Sequence, residues 1–266
     1  MAPLTQPYTE IAPAADGLPA IRRIGTSAVW RALRQGWDDF TASPTQLVFL
    51  AIIYPIIGLV AAAAAAGRDL MPLVWPLLSG FALVGPVAAL GVYELSRRRE
   101  QGLPVSWVNA FDVRHSPSLP SILALGVLLL AIFVAWLFTA EAIYRGSFGR
   151  MVPASTADFL AMLTGTPGGR RLMVLGNFAG FLFAAAVLAL TVISFPLLLD
   201  RPVGAGAAIR ASLRAVALNP VPMALWGLVV AVVLLVASIP LFVGLAVAVP
   251  VLGHATWHLY RAVMPR

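Results

Sequence analysis

Long runs without a charged side chain constrain this chain more than any other feature of its sequence. About 60% of the residues are apolar and 11% are charged. A helix of about 20 apolar residues, rising ~1.5 Å per residue, crosses the ~30 Å hydrocarbon core of a bilayer. Four uncharged runs reach that length: Thr45–Ala66, Leu70–Tyr93, Ser116–Ala140 and Leu172–Leu199. We therefore predict an all-α fold, a polytopic transmembrane helix bundle.

A fifth uncharged run, Ala215–Gly253, is too long for a single crossing. Its predicted break is Ser238-Ile239-Pro240, because proline removes a helix donor and disfavours helix at the preceding residue. Two further spans, Val221–Ala237 and Pro240–Tyr260, bring the count to about six. The alternative is five spans, with one long kinked segment at the end.

The distribution of arginine predicts the orientation in the membrane. All eighteen basic residues are arginine, and with the N-terminus inside, thirteen fall on the cytoplasmic side and five on the other. The positive-inside rule then places both termini in the cytoplasm of a bacterium, with the spans in its inner membrane. We predict a flexible cytoplasmic N-terminus over residues 1–26 and one six-span membrane domain over residues 27–262.

The net charge of +7 predicts contact with anionic lipid head groups rather than nucleic acid, because the arginines flank membrane spans. Residues 27–40 form an amphipathic pattern, with Trp30, Leu33, Trp37 and Phe40 on one helical face. Such a helix is expected to lie at the interface between lipid and water. Ala208–Leu218 shows a similar pattern, so the fold should include amphipathic interfacial helices.

Charged residues at the ends of two spans are candidate functional residues. Glu94 and Arg97 follow the second span, where an arginine could neutralise the glutamate, and Asp200 and Arg201 follow the fourth span. A charged residue this close to the bilayer is a functional candidate by default. The simpler interpretation is a set of anchoring ion pairs at the head groups.

Three histidines raise the question of a cofactor. His254 and His258 are four residues apart on the last helix, so their rings share one face, a spacing that can hold a metal. His115 lies on the same side, and Glu94 or Asp112 could supply a further ligand. Haem or a divalent metal is therefore one alternative. We expect instead no cofactor, with the two helical histidines bonded to Asp200, Glu94 or backbone carbonyls.

Several strings resemble a family of uncharacterised bacterial integral membrane proteins that carry a domain of unknown function. They are Gly36–Phe40, Ser79–Glu100, Ser194–Arg201, Asn219-Pro220 and Leu252–Arg261, and the resemblance covers roughly residues 20–262. Some members are labelled cytochrome c oxidase subunit I. Three histidines cannot ligate two haems and a copper, so that label implies no activity here.

These observations predict a non-enzymatic protein, because the sequence contains no cysteine and no recognisable catalytic set. The first hypothesis is an accessory or assembly component of a membrane complex, with another membrane protein as its partner. The second is a transporter or channel for a small or lipid-like solute, using the kink at Gly85-Pro86. The third is a metal- or haem-binding membrane protein that uses the C-terminal histidine pair.

Overall fold

A computed structural model of the chain describes residues 20–42, 76–77, 85–240 and 242–266. The described residues form helices and no strand, which confirms the all-α class. The helices are α1 (Thr26–Ala42), α2 (Gly85–Ala88), α3 (Leu90–Glu100), the 3-10 helix η1 (Trp107–His115), α4 (Leu119–Phe148), α5 (Thr156–Gly165), α6 (Pro167–Thr191), α7 (Ser194–Asp200), α8 (Ala205–Leu218), α9 (Pro220–Ser238) and α10 (Leu245–Val263).

Three stretches of the described residues are long and apolar enough to cross a membrane. They are α4, the stretch Pro167–Asp200 that comprises α6 and α7, and α9. They coincide with the third, fourth and fifth spans predicted from the sequence. The predicted first span, Thr45–Ala66, lies outside the described residues, as do residues 1–19 and most of the predicted second span.

The last apolar run is broken where the sequence predicted a break. Helix α9 ends at Ser238 and α10 begins at Leu245, so the run forms two helices with a turn between them. The turn passes close to α9: a Cβ on Gly244 would lie 2.6 Å from the carbonyl oxygen of Ala237. Helix α10 is not among the candidate spans, since its second half carries polar residues.

The chain divides into two compact units. The first comprises residues 1–50, 86–124 and 188–266, and in it α1 and α3 pack against α10 while η1 packs against α3. Large side chains such as Trp226, Trp257 and Phe195 are fully buried there. The second unit comprises residues 51–85 and 125–187, and in it the ring of Trp136 lies on that of Phe183, with centroids 5.6 Å apart.

Helix α1 packs against α10 through small residues rather than through its aromatic residues. Ala28, Ala32 and Gly36 repeat every four residues and are buried. A Cβ on Gly36 would lie 2.6 Å from the backbone nitrogen of Ala255, so the two backbones are in close contact.

The predicted apolar face of α1, with Trp30, Leu33, Trp37 and Phe40, is therefore not the face that packs against α10. Trp30 and Trp37 are 58% and 51% exposed, whereas Phe40 is buried on the face that carries the small residues. Small side chains let two helices approach closely, which leaves the tryptophans turned away from α10.

Candidate functional site

Helices α1, α3 and α10 bring one carboxylate, one serine and two histidines together. Asp39 Oδ2 accepts a hydrogen bond from Ser96 Oγ at 2.7 Å and lies 2.8 Å from Nε2 of His258. Ser96 Oγ also lies 2.7 Å from Nδ1 of His254. Residues four apart share a helical face, so α10 presents both imidazoles to the same carboxylate. We call these four residues, with Arg99 at 3.1 Å from Asp39 Oδ1, the Asp39 cluster.

The hydrogen bonds assign the protons of the Asp39 cluster. Ser96 has a single hydroxyl proton, and it is donated to Asp39. Ser96 Oγ must then accept from His254, so Nδ1 of that ring carries a proton and Nε2 holds a lone pair. The Nε2 atom is buried and has no hydrogen-bond partner among the residues that the structure describes. His258 donates from Nε2 to Asp39, whose carboxylate receives all the surrounding donors.

Burial and hydrogen bonding set the charges of this cluster. Burial raises the pKa of Asp39, but the hydrogen bonds from His258 and Ser96 and the nearby histidines outweigh it, so the pKa lies below its ordinary value. The side chain of His254 is 1% exposed, and burial lowers its pKa to about 4. At neutral pH the cluster therefore holds an ionised carboxylate and a neutral His254.

A second group of charges ties the C-terminal end of α10 to α7 and α3. Arg261 donates to both carboxylate oxygens of Asp200, at 2.8 and 2.7 Å, and Tyr260 donates its hydroxyl to Asp200 at 2.6 Å. Arg261 also donates from Nε to Glu100 at 2.9 Å. Two-pronged arginine–carboxylate pairs are among the stronger ion pairs in proteins. Arg201 contacts Asp200 at 3.4 Å, as predicted, but Arg261 makes the shorter bonds.

Glu94 is buried beside Arg97 on α3. The two side chains form paired hydrogen bonds of 2.7 and 2.8 Å, so Arg97 is the arginine that neutralises the glutamate. The pair directly follows the predicted second span, Leu70–Tyr93.

The partners expected for the histidines were wrong. Asp200 and Glu94 are held by arginines, and Asp39 and Ser96 bond to His254 and His258 instead. His115 is exposed on η1, a 3-10 helix whose Asp112 is bonded to Arg98 at 3.1 Å. Among the described residues, no three histidine, cysteine or acidic side chains are placed to hold one metal ion.

Sequence reasoning also missed a buried asparagine that anchors the chain before α1. Asn219 Oδ1 accepts from the backbone nitrogen of Ile24 at 2.7 Å, and its Nδ2 donates to the carbonyl oxygen of Arg22 at 3.1 Å. The backbone nitrogen of Arg22 donates to the carbonyl oxygen of Val263 at 2.9 Å. Asn219-Pro220 is one of the strings that carry the family resemblance. In the fold its asparagine clamps the segment before α1 through the bonds to Ile24 and Arg22.

A match to known proteins covers only some of the residues that make these contacts. No curated protein and no solved structure matches the chain. One family matches over a segment that includes Glu94, Ser96 and Asp200, whereas Asp39 and both α10 histidines lie outside it. Residues 74–200 of this integral membrane protein match the family described as predicted integral membrane protein (DUF2189), which confirms the resemblance to a membrane family with a domain of unknown function.

Proposed function

We propose that this integral membrane protein is a non-enzymatic accessory or assembly component of a complex in the bacterial inner membrane. The buried acids of the first unit support this proposal. Asp39, Glu94 and Asp200 are each bonded to a cation or a donor on their own or a neighbouring helix. Asp39 and Asp200 thereby connect neighbouring helices, Glu94 is neutralised within its own helix, and none of the three is presented to a substrate.

The observation that carries the proposal is an exposed amide in a candidate span. Asn177 lies ten residues into α6, about 15 Å from its start at ~1.5 Å per residue. Its Nδ2 donates to the carbonyl oxygen of Met173 at 2.7 Å, and the side chain faces outward. Its Oδ1 and its second N–H would face lipid, where polar groups are costly unless they find a partner. A helix of another membrane protein could supply that partner.

The neighbouring glycine strengthens the case for a helical partner. A Cβ on Gly176 would meet no atom of the described residues within 4 Å, so they leave the backbone of α6 open to close approach there. Lipid tails are as apolar as leucine, so helices associate in membranes through small residues and hydrogen bonds. Phe178 and Phe181, both exposed, lie beside this position and could pack against the same partner helix.

The test is purification of the tagged full chain from its native membranes in mild detergent, with mass spectrometry of what co-purifies. We expect a near-stoichiometric membrane partner that survives stringent washing and is lost in Gly176→Leu. The matched control is Gly146→Leu on α4, where a Cβ likewise meets none of the described atoms within 4 Å. Protein recovered alone, or only with itself, would overturn the proposal.

The absence of cysteine allows the contact to be located directly. Because the chain has none, a single introduced thiol is unique in the protein. A Phe178→Cys variant should crosslink to the partner, whereas Leu123→Cys on α4, equally exposed, should not. Crosslinking of both variants to the same extent would indicate random encounter rather than a defined interface.

We further propose that the outward face of α1 lies at the cytoplasmic head groups, with anionic lipid as its second partner. Trp30 and Trp37 are exposed on α1, and Arg34 is exposed between them. Tryptophan and arginine favour the boundary between lipid and water. In nanodiscs of anionic lipid, brominated acyl chains should quench the emission of wild-type protein more than that of Trp30→Phe/Trp37→Phe.

A further inference from the structure

We propose that His254 is an acid sensor: proton uptake at its buried Nε2 loosens the contact between α1 and α10. This inference concerns regulation and does not depend on the proposed partner. In the Asp39 cluster, one ring nitrogen of His254 has a hydrogen-bond partner, and the other has none within the described part of the chain.

The added proton would have no acceptor in the closed structure. Nδ1 of His254 already donates to Ser96, so a second proton must go to Nε2. Asp39 Oδ2 lies 3.8 Å from Nδ1, and it already receives the bonds from Ser96 and His258. A buried N–H without an acceptor, carrying part of a positive charge, is costly. The imidazolium is therefore more stable when the ring reaches water.

Charges on the surrounding helices, taken together, do not stabilise a protonated His254 in the closed structure. Asp39 on α1 favours the imidazolium, whereas Arg99 on α3 and His258 on α10 oppose it. Three carboxylates on the helices packed against α10 are already bonded: Glu94 to Arg97, Asp200 to Tyr260 and Arg261, and Glu100 to Trp257 and Arg261. Asp38 on α1 is exposed, and α9 carries no ionisable group. Within the described residues, these carboxylates are not left to receive the Nε2 proton.

The position of His254 connects its protonation to the helix contact. Its neighbour Ala255 provides the backbone nitrogen that would lie 2.6 Å from a Cβ on Gly36, and Asp39 is three residues further along α1. We expect a ring that leaves its site to move the backbone of α10 where it is in close contact with α1. Release of α1 is therefore the opening that exposes His254.

The pH range follows from the sign of the shift. In the closed structure burial lowers the pKa of His254 to about 4, whereas a hydrated histidine titrates near 6.5. The opened form binds more protons across that interval, so the closed form loses stability as the pH falls from about 6.5 towards 4. Between pH 7 and pH 5, the equilibrium constant for opening should rise about 20-fold.

Hydrogen exchange of the full chain in detergent micelles tests the proposal. After correction for intrinsic rates, we expect amides of α1 to open about 20-fold more often at pH 5 than at pH 7. His254→Asn should remove this dependence, and His115→Asn, at an exposed histidine, should retain it. An unchanged wild-type opening, or an equal rise in His254→Asn, would overturn the proposal.

A measurement on the unmodified protein covers the case in which His254→Asn does not fold. The chain has only three histidines, so nitrogen-15 NMR of histidine-labelled protein gives three imidazole spectra. We expect one neutral ring protonated at Nδ1 that titrates well below 6.5. If every ring titrates near 6.5, or none is protonated at Nδ1 alone, His254 is not the sensor.

Discussion

Gly36→Ala tests the close packing of α1 against α10. The new Cβ would lie 2.6 Å from the nitrogen of Ala255, 2.7 Å from the carbonyl oxygen of Val251 and 2.8 Å from the Cβ of Ala255. Two of these atoms belong to the backbone and cannot rotate away, so the helices must separate. Overpacking of this kind costs about 1–3 kcal/mol, and the rigid neighbours place Gly36→Ala near the upper end.

The higher helix propensity of alanine offsets part of that cost. Alanine is about 1 kcal/mol more favourable than glycine in a helix interior, so the net loss for Gly36→Ala is about 2 kcal/mol. At 1.4 kcal/mol for each factor of ten, α1 should open about 30-fold more often. Hydrogen exchange of the α1 amides at pH 7 measures this ratio directly.

Gly206→Ala on α8 is the matched control. Its Cβ would meet only the mobile end of Arg210, at 3.5 Å, so the helix preference acts alone and stability should rise slightly. The two identical substitutions should therefore change stability in opposite directions. Equal or greater protection of α1 in Gly36→Ala would refute the close-packing argument.

Three other predictions concern single hydrogen-bonded groups. Asp39→Asn removes the shared acceptor of the Asp39 cluster and should cost about 2–4 kcal/mol of stability, seen as a lower melting temperature in detergent. Because the pKa of Asp39 is lowered in the folded protein, the carboxylate contributes this stability above about pH 4 and loses it below that pH. Asn219→Ala leaves the buried nitrogen of Ile24 without an acceptor and should cost about 1–3 kcal/mol, with faster exchange at that amide; unchanged exchange would contradict the clamp. Asp200→Asn breaks the paired bonds to Arg261 and should destabilise α10 by about 1–3 kcal/mol, whereas Asp158→Asn at the start of α5 should change stability by less than about 1 kcal/mol in the same melting assay.

The membrane spans could be predicted because they depend on local composition. Helices α4, α6 and α9 follow from uncharged runs of sufficient length, and the break after Ser238 follows from the chemistry of Pro240. Each of these features requires only the residues within one turn or one span. Neutralisation of Glu94 by an arginine was predictable for the same reason, since Arg97 is only three positions further along the same helix.

The Asp39 cluster could not be predicted from local patterns. Asp39 and His258 are 219 positions apart, and nothing in either segment names the other. The choice between Asp38 and Asp39 also depends on which face of α1 is buried. The tryptophans indicated one face, but the small residues Ala32 and Gly36 form the buried one. Asp39 lies on that buried face. A search for small residues at four-residue spacing would have identified the face, but not the histidines that Asp39 contacts.

The clamp between Ile24 and Asn219 has a consequence for synthesis. The two residues are 195 positions apart, and α1 packs against a helix that begins only at Leu245. At about 5–20 residues per second, α10 leaves the ribosome about 10–40 s after α1 does. During that interval the alanine and glycine face of α1 lacks α10, the helix that packs against it in the folded protein. Docking of α1 on this face must therefore wait until α10 has been made.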